Sequence, residues 1–312
     1  MFHSTFDAFE TFLFVPNTVT TKGSHIRDSL DLKRTMSIVI IALMPAMLFG
    51  MWNVGYQHAL SIGASWSFFE TFWYGFLKVL PLIVVSYGVG LSIEFAFAQS
   101  RGHEVNEGFL VSGLLIPLIM PVDVPLWMLA IAVAFAVIIG KEVFGGTGYN
   151  VFNPALLARA FLFFAYPSHM SGDKVWIAGL THGQGVVDGF SGATPLAKAA
   201  AYQIDQLPSV YDMFMGFIPG SVGETSTLAI LIGAVILIVT GIGSWKIMVS
   251  VFGGGFAAGL LFNAFAVNPY MEIPAWQHLI MGGFAFGAVF MATDPVSASQ
   301  TEKGKWIYGF LV

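Results

Sequence analysis

Long apolar runs separated by short polar segments occupy most of this chain and limit what it can fold into. Hydrophobic residues make up 56% of the 312 residues and charged residues 10%, and the mean hydropathy is +0.76. Soluble domains of this length do not reach such values. The sequence therefore predicts an all-α polytopic membrane protein, with apolar runs at residues 36–52, 72–98, 109–120, 124–140, 151–166, 227–243, 247–267 and 277–293 and the beginning of another at Trp306.

One run, residues 109–120, is too short to cross a bilayer as a helix, which takes about 20 residues. Prolines interrupt it, so we predict a broken half-helix. Its pattern recurs later in the chain: Gly108-Phe109, Met120, Asp123 and Pro125 are echoed by Gly283-Phe284, Met291, Asp294 and Pro295. This echo predicts about ten spans in two inverted five-span repeats, with the last span or spans missing from this chain.

Basic residues assign the polar segments to the two membrane faces. Positive charge concentrates in residues 23–34 and returns at Arg101, Lys141, Lys246 and Lys305, which places these segments in the cytoplasm. The chain then divides into a cytoplasmic N-terminal arm (1–35), a first transmembrane repeat (36–166), an extracytoplasmic segment (167–226) and an incomplete second repeat (227–312).

The N-terminal arm carries apolar residues at helical spacing, namely Phe2, Phe6, Phe9 and Leu13. This spacing predicts a short amphipathic helix. Such a helix lies at the membrane interface or docks against a partner subunit, and the pattern fits both.

Composition excludes several classes of function. Cysteine is absent, so thiolate-held iron–sulfur clusters, disulfides and a catalytic thiol are excluded. If the chain moves electrons, the carriers are flavin or quinone. The net charge of −5 and the lack of a Lys/Arg run argue against a nucleic-acid partner. We also predict no metal site, since His103, Glu104 and Glu107 resemble metal-ligand spacing only superficially.

The long polar interval contains the stretch Asp-Gly-Phe-Ser-Gly-Ala-Thr-Pro-Leu, residues 188–196. Pro195 suits the first position of a helix, which makes Thr194 the N-cap of a helix that we predict to run to about Ile204. Gly192 and Ala193 allow the backbone to turn tightly before it. An anion, above all a phosphate, is favoured at such a helix start, but an ordinary N-cap explains the same pattern.

A second candidate site is the turn Gly-Gly-Thr-Gly-Tyr-Asn, residues 145–150, which continues to Asn153-Pro154. If the chain is helical from Val151 onward, Asn150 and Asn153 lie on one face. Their amides supply the donors and acceptors that a heteroaromatic ring edge needs. Helix punctuation by glycine, asparagine and proline accounts for these residues equally well.

The last candidate functional residues are carboxylates near the membrane. Glu94 lies near the cytoplasmic end of an apolar span, where a charge is costly and marks function by default, although snorkelling near Arg101 is the alternative. Glu142 and Asp294 fit ordinary solvation of helix ends, with an ion path as the other interpretation. Glu224, three residues after Ser221, fits a capping box.

The motif Ser191-Gly192-Ala193-Thr194, preceded by Asp188-Gly189, resembles the site at which FMN is joined through its phosphate to threonine. That site marks the membrane flavoprotein subunits of the Na⁺-translocating NADH:quinone oxidoreductase and of the related Rnf complex. The resemblance extends over residues 22–312. It implies FMN bound covalently at Thr194, beside Ser191, Gly192 and Ala193, in the extracytoplasmic segment.

The same resemblance implies riboflavin near Asn150 and Asn153, and ubiquinone as the substrate. Glu94 is similar to a residue implicated in sodium uptake. One glycine of a pair linked to quinone affinity is matched by Gly90, whereas Leu91 replaces the other. The implied setting is a six-subunit complex with Na⁺, ubiquinone and lipid in the bacterial inner membrane.

No Gly-x-Gly-x-x-Gly pattern follows a predicted strand, so NADH is expected to bind another subunit. Residues 23–34 resemble the sodium-pump branch more than the corresponding Rnf protein, which is the nearest alternative. A secondary transporter without redox chemistry is an alternative from a different class, since inverted repeats and broken helices are typical of transporters.

Overall fold

The computed structural model describes residues 20–24, 32–101, 108–182 and 190–312, and within these ranges the regular structure is helical. Helices long and apolar enough to cross a membrane are α1 (Leu32–Ser61), α2 (Phe68–Arg101), α4 (Leu126–Gly140, extended by a 3₁₀ turn to Phe144) and α8 (Trp245–Ala264). Helices α1 and α2 pack on each other, α2 also contacts α4, and α8 packs against α10 (Glu302–Leu311).

Shorter helices fill the space between the long ones. They are α3 (Phe109–Leu118), α5 (Pro154–Ala165), α6 (Pro195–Ala200), α7 (Thr227–Val239) and α9 (Phe284–Phe286), which continues as a π-helical turn, Gly287–Met291. Further short helical segments are Pro167–Met170, Leu180–His182, Ile204–Gln206, Val210–Met215, Pro269–Glu272 and Ala275–His278. The main hydrophobic core lies among α1, α2, α3, α4, α5, α7 and α9.

Local sequence explains where the long helices start and approach one another. Ser67 and Glu70 form a capping box at the start of α2, because the Ser67 N–H donates to the Glu70 carboxylate over 2.8 Å and the Glu70 N–H donates to the Ser67 hydroxyl. A Cβ added to Gly75 would lie 1.7 Å from the Met51 carbonyl oxygen. Glycine at this position therefore lets α1 and α2 come into backbone contact.

The predicted half-helix is confirmed as α3, but three predicted spans are not spanning helices. Residues 151–166 yield the 12-residue α5, residues 227–243 yield the 13-residue α7, and residues 277–293 are interrupted between His278 and Phe284. At about 1.5 Å per residue these helices fall well short of the hydrocarbon core. Irregular backbone at membrane depth is tolerated where it lines a cavity.

Candidate functional site

The segment around Thr194 folds as a capped helix start. The Thr194 hydroxyl oxygen accepts a hydrogen bond from the Ala197 N–H over 3.1 Å, and Pro195 occupies the first helical position. The predicted N-cap is therefore confirmed. The helix is shorter than predicted: α6 ends at Ala200, because Tyr202 takes a left-handed conformation with φ of 60°.

Gly192 is the one position of the motif at which a side chain cannot fit. A Cβ there would lie 2.1 Å from the Asp173 carbonyl oxygen. Ser191 is exposed and Ala193 is buried, and the Ser191 hydroxyl accepts from the Ala193 N–H over 3.3 Å. Asp188 and Gly189 lie outside the described residues. The close contact at Gly192 fixes the path of the chain immediately before Thr194.

Thr194 lines a cavity, here called the Thr194 pocket, of about 450 Å³ including its mouth. Four other segments of the chain contribute to the lining of this pocket. The lining residues are Arg159, Trp176, Thr194, Pro195, Leu196, Ile218, Pro219, Gly220, Ser221, Glu224, Thr225, Gly282 and Gly283.

Arg159 and Glu224 form an ion pair in this pocket, with Arg159 Nη1 2.6 Å from Glu224 Oε1. The predicted capping box at Glu224 is wrong, because Ser226 caps α7 by accepting from the Ala229 N–H. Glu224 instead pairs with an arginine on α5. Arg159 was not among the predicted residues, although a lone arginine inside an apolar run is a signal for a functional charge.

The glycine-rich turn borders a second cavity, here called the asparagine cavity, of about 830 Å³ including its mouth. Asn150 and Asn153 both line it, but they do not lie on one helix face. Helix α5 begins only at Pro154, so both asparagines lie in the preceding turn. The other lining residues are Thr35, Met36, Val39, Gly108, Val111, Ser112, Leu115, Lys141, Thr147, Pro154, Leu237, Ile242, Gly243, Phe290, Thr293, Asp294, Pro295 and Val296.

Asn153 caps a helix through its side-chain oxygen and leaves its amide nitrogen without a hydrogen-bond partner among the described residues. Its Oδ1 accepts from the N–H groups of Ala155 and Leu156, at 2.9 and 3.3 Å, and so caps α5. Its Nδ2 group has no hydrogen-bond partner among the described residues, which leaves two N–H donors for a ligand. Asn150 Nδ2 donates to the Phe152 carbonyl over 3.1 Å. The lining of the cavity therefore combines amide groups with the apolar side chains of Val39, Leu115, Leu237 and Phe290.

The two cavities lie at opposite ends of α7. Glu224 and Thr225, just before α7, line the Thr194 pocket, whereas Leu237 and Ile242 at its other end line the asparagine cavity. A helix of 13 residues is about 20 Å long. The cavities are thus separated along α7 by most of the thickness of a hydrocarbon core.

Two ion pairs lie near Lys141, a residue that lines the asparagine cavity. Glu94 pairs with Lys141, and both side chains are 4% exposed. Arg101 pairs with Glu142 over 3.1 Å. The expected neighbour of Glu94, Arg101, therefore has another partner, and Glu142 is buried and paired instead of solvated at a helix end.

Asp294 also lines the asparagine cavity, where its carboxylate accepts from the Val296 N–H and the Ser297 hydroxyl. Lys141 connects the ion pairs to this cavity, since it lines the cavity and pairs with Glu94. From the sequence, Lys141 indicated only that its segment lies on the cytoplasmic side.

Gly90 lies one helical turn before Glu94 and packs against Phe109 of α3. A Cβ at Gly90 would lie 1.9 Å from the Phe109 ring. The Lys141 ammonium is 6.0 Å from the centre of the same ring. Gly90, Phe109, Glu94 and Lys141 therefore form one cluster between α2, α3 and the end of α4.

The remaining sequence predictions concern metal sites and the N-terminal arm. Within residues 20–24, 32–101, 108–182 and 190–312, no group of three His, Asp or Glu side chains is arranged to hold a metal ion. His103, Glu104 and Glu107 lie outside the described residues, as does the predicted helix with Phe2, Phe6, Phe9 and Leu13.

Comparison with known proteins gives consistent matches over nearly the whole chain. The model of the NQR2, RnfD, RnfE family matches residues 19–312. The matching subunit of the Na⁺-translocating NADH-quinone reductase of Chromohalobacter salexigens is 47% identical over all of this chain and 80% of its own length. The proteins with the same name from Stutzerimonas stutzeri and Azotobacter vinelandii are 46% and 44% identical over 99% of this chain and 82% of theirs.

Proposed function

This chain belongs to the NQR2, RnfD, RnfE family, and from that premise we propose that it is the NQR2 subunit of a sodium-translocating NADH:quinone reductase. In this proposal electrons arrive at an FMN esterified to Thr194, pass to riboflavin in the asparagine cavity and reduce ubiquinone, coupled to Na⁺ export. The observation that carries the proposal is the placement of two cavities, one with the Thr194 motif and one with two asparagines, at opposite ends of α7.

The Thr194 pocket fits a phosphate ester. Thr194 borders open space beside the Arg159 guanidinium, which can neutralise an anion, and Gly192 holds the motif against the Asp173 backbone. Attachment forms a bond from Thr194 Oγ1 to the phosphorus of FMN. The hydroxyl proton leaves, and a flavin dinucleotide donor gives up AMP as its phosphoanhydride bond breaks. When bound, FMN supplies a redox-active ring at this end of the protein.

The asparagine cavity fits the ring of riboflavin. Asn153 lines it and has an Nδ2 group free to donate, Asn150 supplies a second amide, and aliphatic and aromatic side chains line the rest. Helix α5 and the segment from Gly282 to Val296 line both cavities, so packed protein connects the two proposed flavin sites.

We place Glu94 on the ion path and Gly90 at the quinone site. A buried carboxylate paired with Lys141 is a binding group for a cation once the ammonium moves away. Gly90 packs against Phe109, so it acts at a quinone site by setting the position of that ring. The other partners in this proposal are the remaining subunits of the six-subunit complex, lipid, ubiquinone and Na⁺, in the bacterial inner membrane.

The two broken helices support the proposed inverted repeat. Helix α3 starts beside the asparagine cavity at Gly108, and its Leu118 carbonyl accepts from the N–H of Gly223, next to the Thr194 pocket. Helix α9 starts at Gly283 in the Thr194 pocket and leads to Thr293 in the asparagine cavity. The two therefore run in opposite directions between the cavities, as related elements of inverted repeats do.

Flavin fluorescence of the denatured polypeptide tests the FMN proposal directly. We expect a fluorescent band on a denaturing gel for wild type produced with the flavin transferase, and its loss in Thr194→Ala. Thr225→Ala is the matched control, because Thr225 is a second hydroxyl residue of the same pocket and should keep the band. A band that persists in Thr194→Ala contradicts the attachment site.

The opposed half-helices also favour a second candidate, a secondary transporter without redox chemistry. The same gel separates the two functions, since a transporter carries no flavin band in wild type. RnfD is the alternative within the family, and the electron donor of the purified complex, NADH or ferredoxin, distinguishes it.

A further inference from the structure

Arg159 places a positive charge in the middle of the apolar helix α5. Its partner, Glu224, bonds to only one of the N–H donors of the guanidinium. The Arg159 side chain is 33% exposed, whereas that of Glu224 is 9% exposed. The bond from Nη1 to Glu224 is the one hydrogen bond of the guanidinium among the described residues. The other N–H donors of Arg159 are thus available to a ligand in the Thr194 pocket.

Glu224 holds Arg159 in place from a rigid position. The Glu224 carboxyl carbon is 2.7 Å from where a Cβ of Gly283 would lie, so the carboxylate rests against the Gly283 backbone. The preceding residue, Gly223, donates its N–H to the Leu118 carbonyl over 2.7 Å. Because Glu224 is fixed on both sides, the guanidinium has a defined place in the Thr194 pocket.

The charges of this pocket also favour a role for Arg159. Arg159 and Glu224 balance each other, and a phosphodiester on Thr194 adds a single negative charge. Without the guanidinium, that charge would face the buried Glu224 carboxylate, and like charges in a weakly hydrated site repel strongly. A guanidinium binds a carboxylate and a phosphate oxygen at the same time because its donors form a planar fork.

We propose that Arg159 is the positioning residue for the flavin phosphate, bridging the phosphodiester on Thr194 and the carboxylate of Glu224. This proposal rests on the proposed function, FMN attachment at Thr194. Glu224 orients the guanidinium and does not contact the phosphate. Arg159 therefore acts on flavin loading, which is measurable without electron transfer.

The test measures covalent flavin per polypeptide at limiting flavin transferase, by in-gel fluorescence normalised to the amount of chain in the purified complex. Arg159→Gln is expected to lower the flavin band about tenfold, as the loss of one charge-assisted hydrogen bond implies. Glu224→Gln should lower the flavin band by less than Arg159→Gln does, because the guanidinium remains but loses the carboxylate that orients it. The double variant Arg159→Gln/Glu224→Gln should carry more flavin than Arg159→Gln, since the repelling carboxylate is gone. Arg159→Lys should also carry more flavin than Arg159→Gln, but less than wild type.

Lys198→Ala is the matched control, because Lys198 is the basic residue of α6 and its ammonium bonds the Gln206 carbonyl outside the pocket. Wild-type flavin content in Arg159→Gln would overturn the role of Arg159. Equal losses in Arg159→Gln and Glu224→Gln would also overturn it, since the ion pair would then only support the fold. Persistence of the band in Thr194→Ala would instead contradict the attachment site itself.

Discussion

Asn153 illustrates at the residue scale how one side chain has a structural role and a proposed binding role. Its oxygen caps α5, its amide nitrogen has no partner among the described residues, and the residue lines the asparagine cavity. Sequence alone supported both interpretations, since asparagine before proline marks a helix start whether or not it binds a ligand. The two roles use different atoms, so they can be separated by substitution.

We predict that Asn153→Ser keeps the cap and loses the ligand donor, whereas Asn153→Ala loses both. A serine hydroxyl replaces the capping oxygen, while alanine should cost about 0.5–2 kcal/mol in free energy of unfolding. Riboflavin released by acid from the purified complex should fall in both variants, and the thermal midpoint should fall only in Asn153→Ala.

Asn268→Ser is the control, since Asn268 also caps a helix before proline, by accepting from the Met271 N–H over 3.0 Å, and does not line the cavity. This variant should retain wild-type riboflavin. Full riboflavin content in Asn153→Ser would show that the amide is not a ligand.

At the element scale, the contact between α2 and α3 explains why Gly90 matters. The Phe109 ring occupies the space that any side chain at Gly90 would need, whereas a Cβ at Gly88 meets nothing within 4 Å. We predict that Gly90→Ala destabilises the protein by about 1–3 kcal/mol through overpacking. Gly88→Ala should leave the thermal midpoint of the purified complex unchanged or slightly higher.

Phe109→Leu added to Gly90→Ala should restore part of that stability, because it removes the clashing ring atoms. Quinone reduction measured on Gly90→Ala, on Gly88→Ala and on the double variant with Phe109→Leu separates a direct role of Gly90 from one through Phe109. If Gly90→Ala is as stable as wild type, the close contact between α2 and α3 is not as tight as described.

Much of this helical architecture could be predicted from sequence, and the predictions that failed did so for one physical reason. Apolar composition predicts helices such as α1, α2 and α8, and proline placement predicts the half-helix α3. Hydropathy does not show whether an apolar run forms one helix or several pieces. Residues 277–293 are equally apolar, yet Gly282 adopts a φ of +70° and the chain breaks beside the Thr194 pocket.

The site could be predicted where a residue acts through its neighbours in sequence, and not where it acts through distant ones. Thr194 and Asn153 cap the residues that follow them, so their local patterns were sufficient. The pairs Arg159–Glu224 and Glu94–Lys141 join residues 65 and 47 positions apart. Only the fold brings those partners together, and the capping-box prediction for Glu224 was wrong for this reason.

At the scale of the whole molecule, the two cavities at opposite ends of α7 give the chain two candidate sites. Helix α5 and the segment from Gly282 to Val296 contribute residues to both cavities. The fold therefore connects the proposed flavin sites by elements that enclose both. A proposed electron route from one face to the other requires that the Thr194 motif and the glycine-rich turn be exposed on opposite sides of the membrane.

We predict that Ser191→Cys and Tyr149→Cys react with a membrane-impermeant maleimide from opposite sides. The chain has no cysteine, so each variant carries a single thiol, and both residues are exposed, Tyr149 to 71%. Ser191→Cys should be labelled in right-side-out vesicles and Tyr149→Cys in inverted ones, each read on the isolated chain. Val267→Cys, exposed after α8 on the predicted outer side, is the matched reporter for Ser191→Cys, and labelling after detergent solubilisation gives the total. Labelling of Ser191→Cys and Tyr149→Cys from the same side would contradict the transmembrane route, because both flavins would then lie at one face.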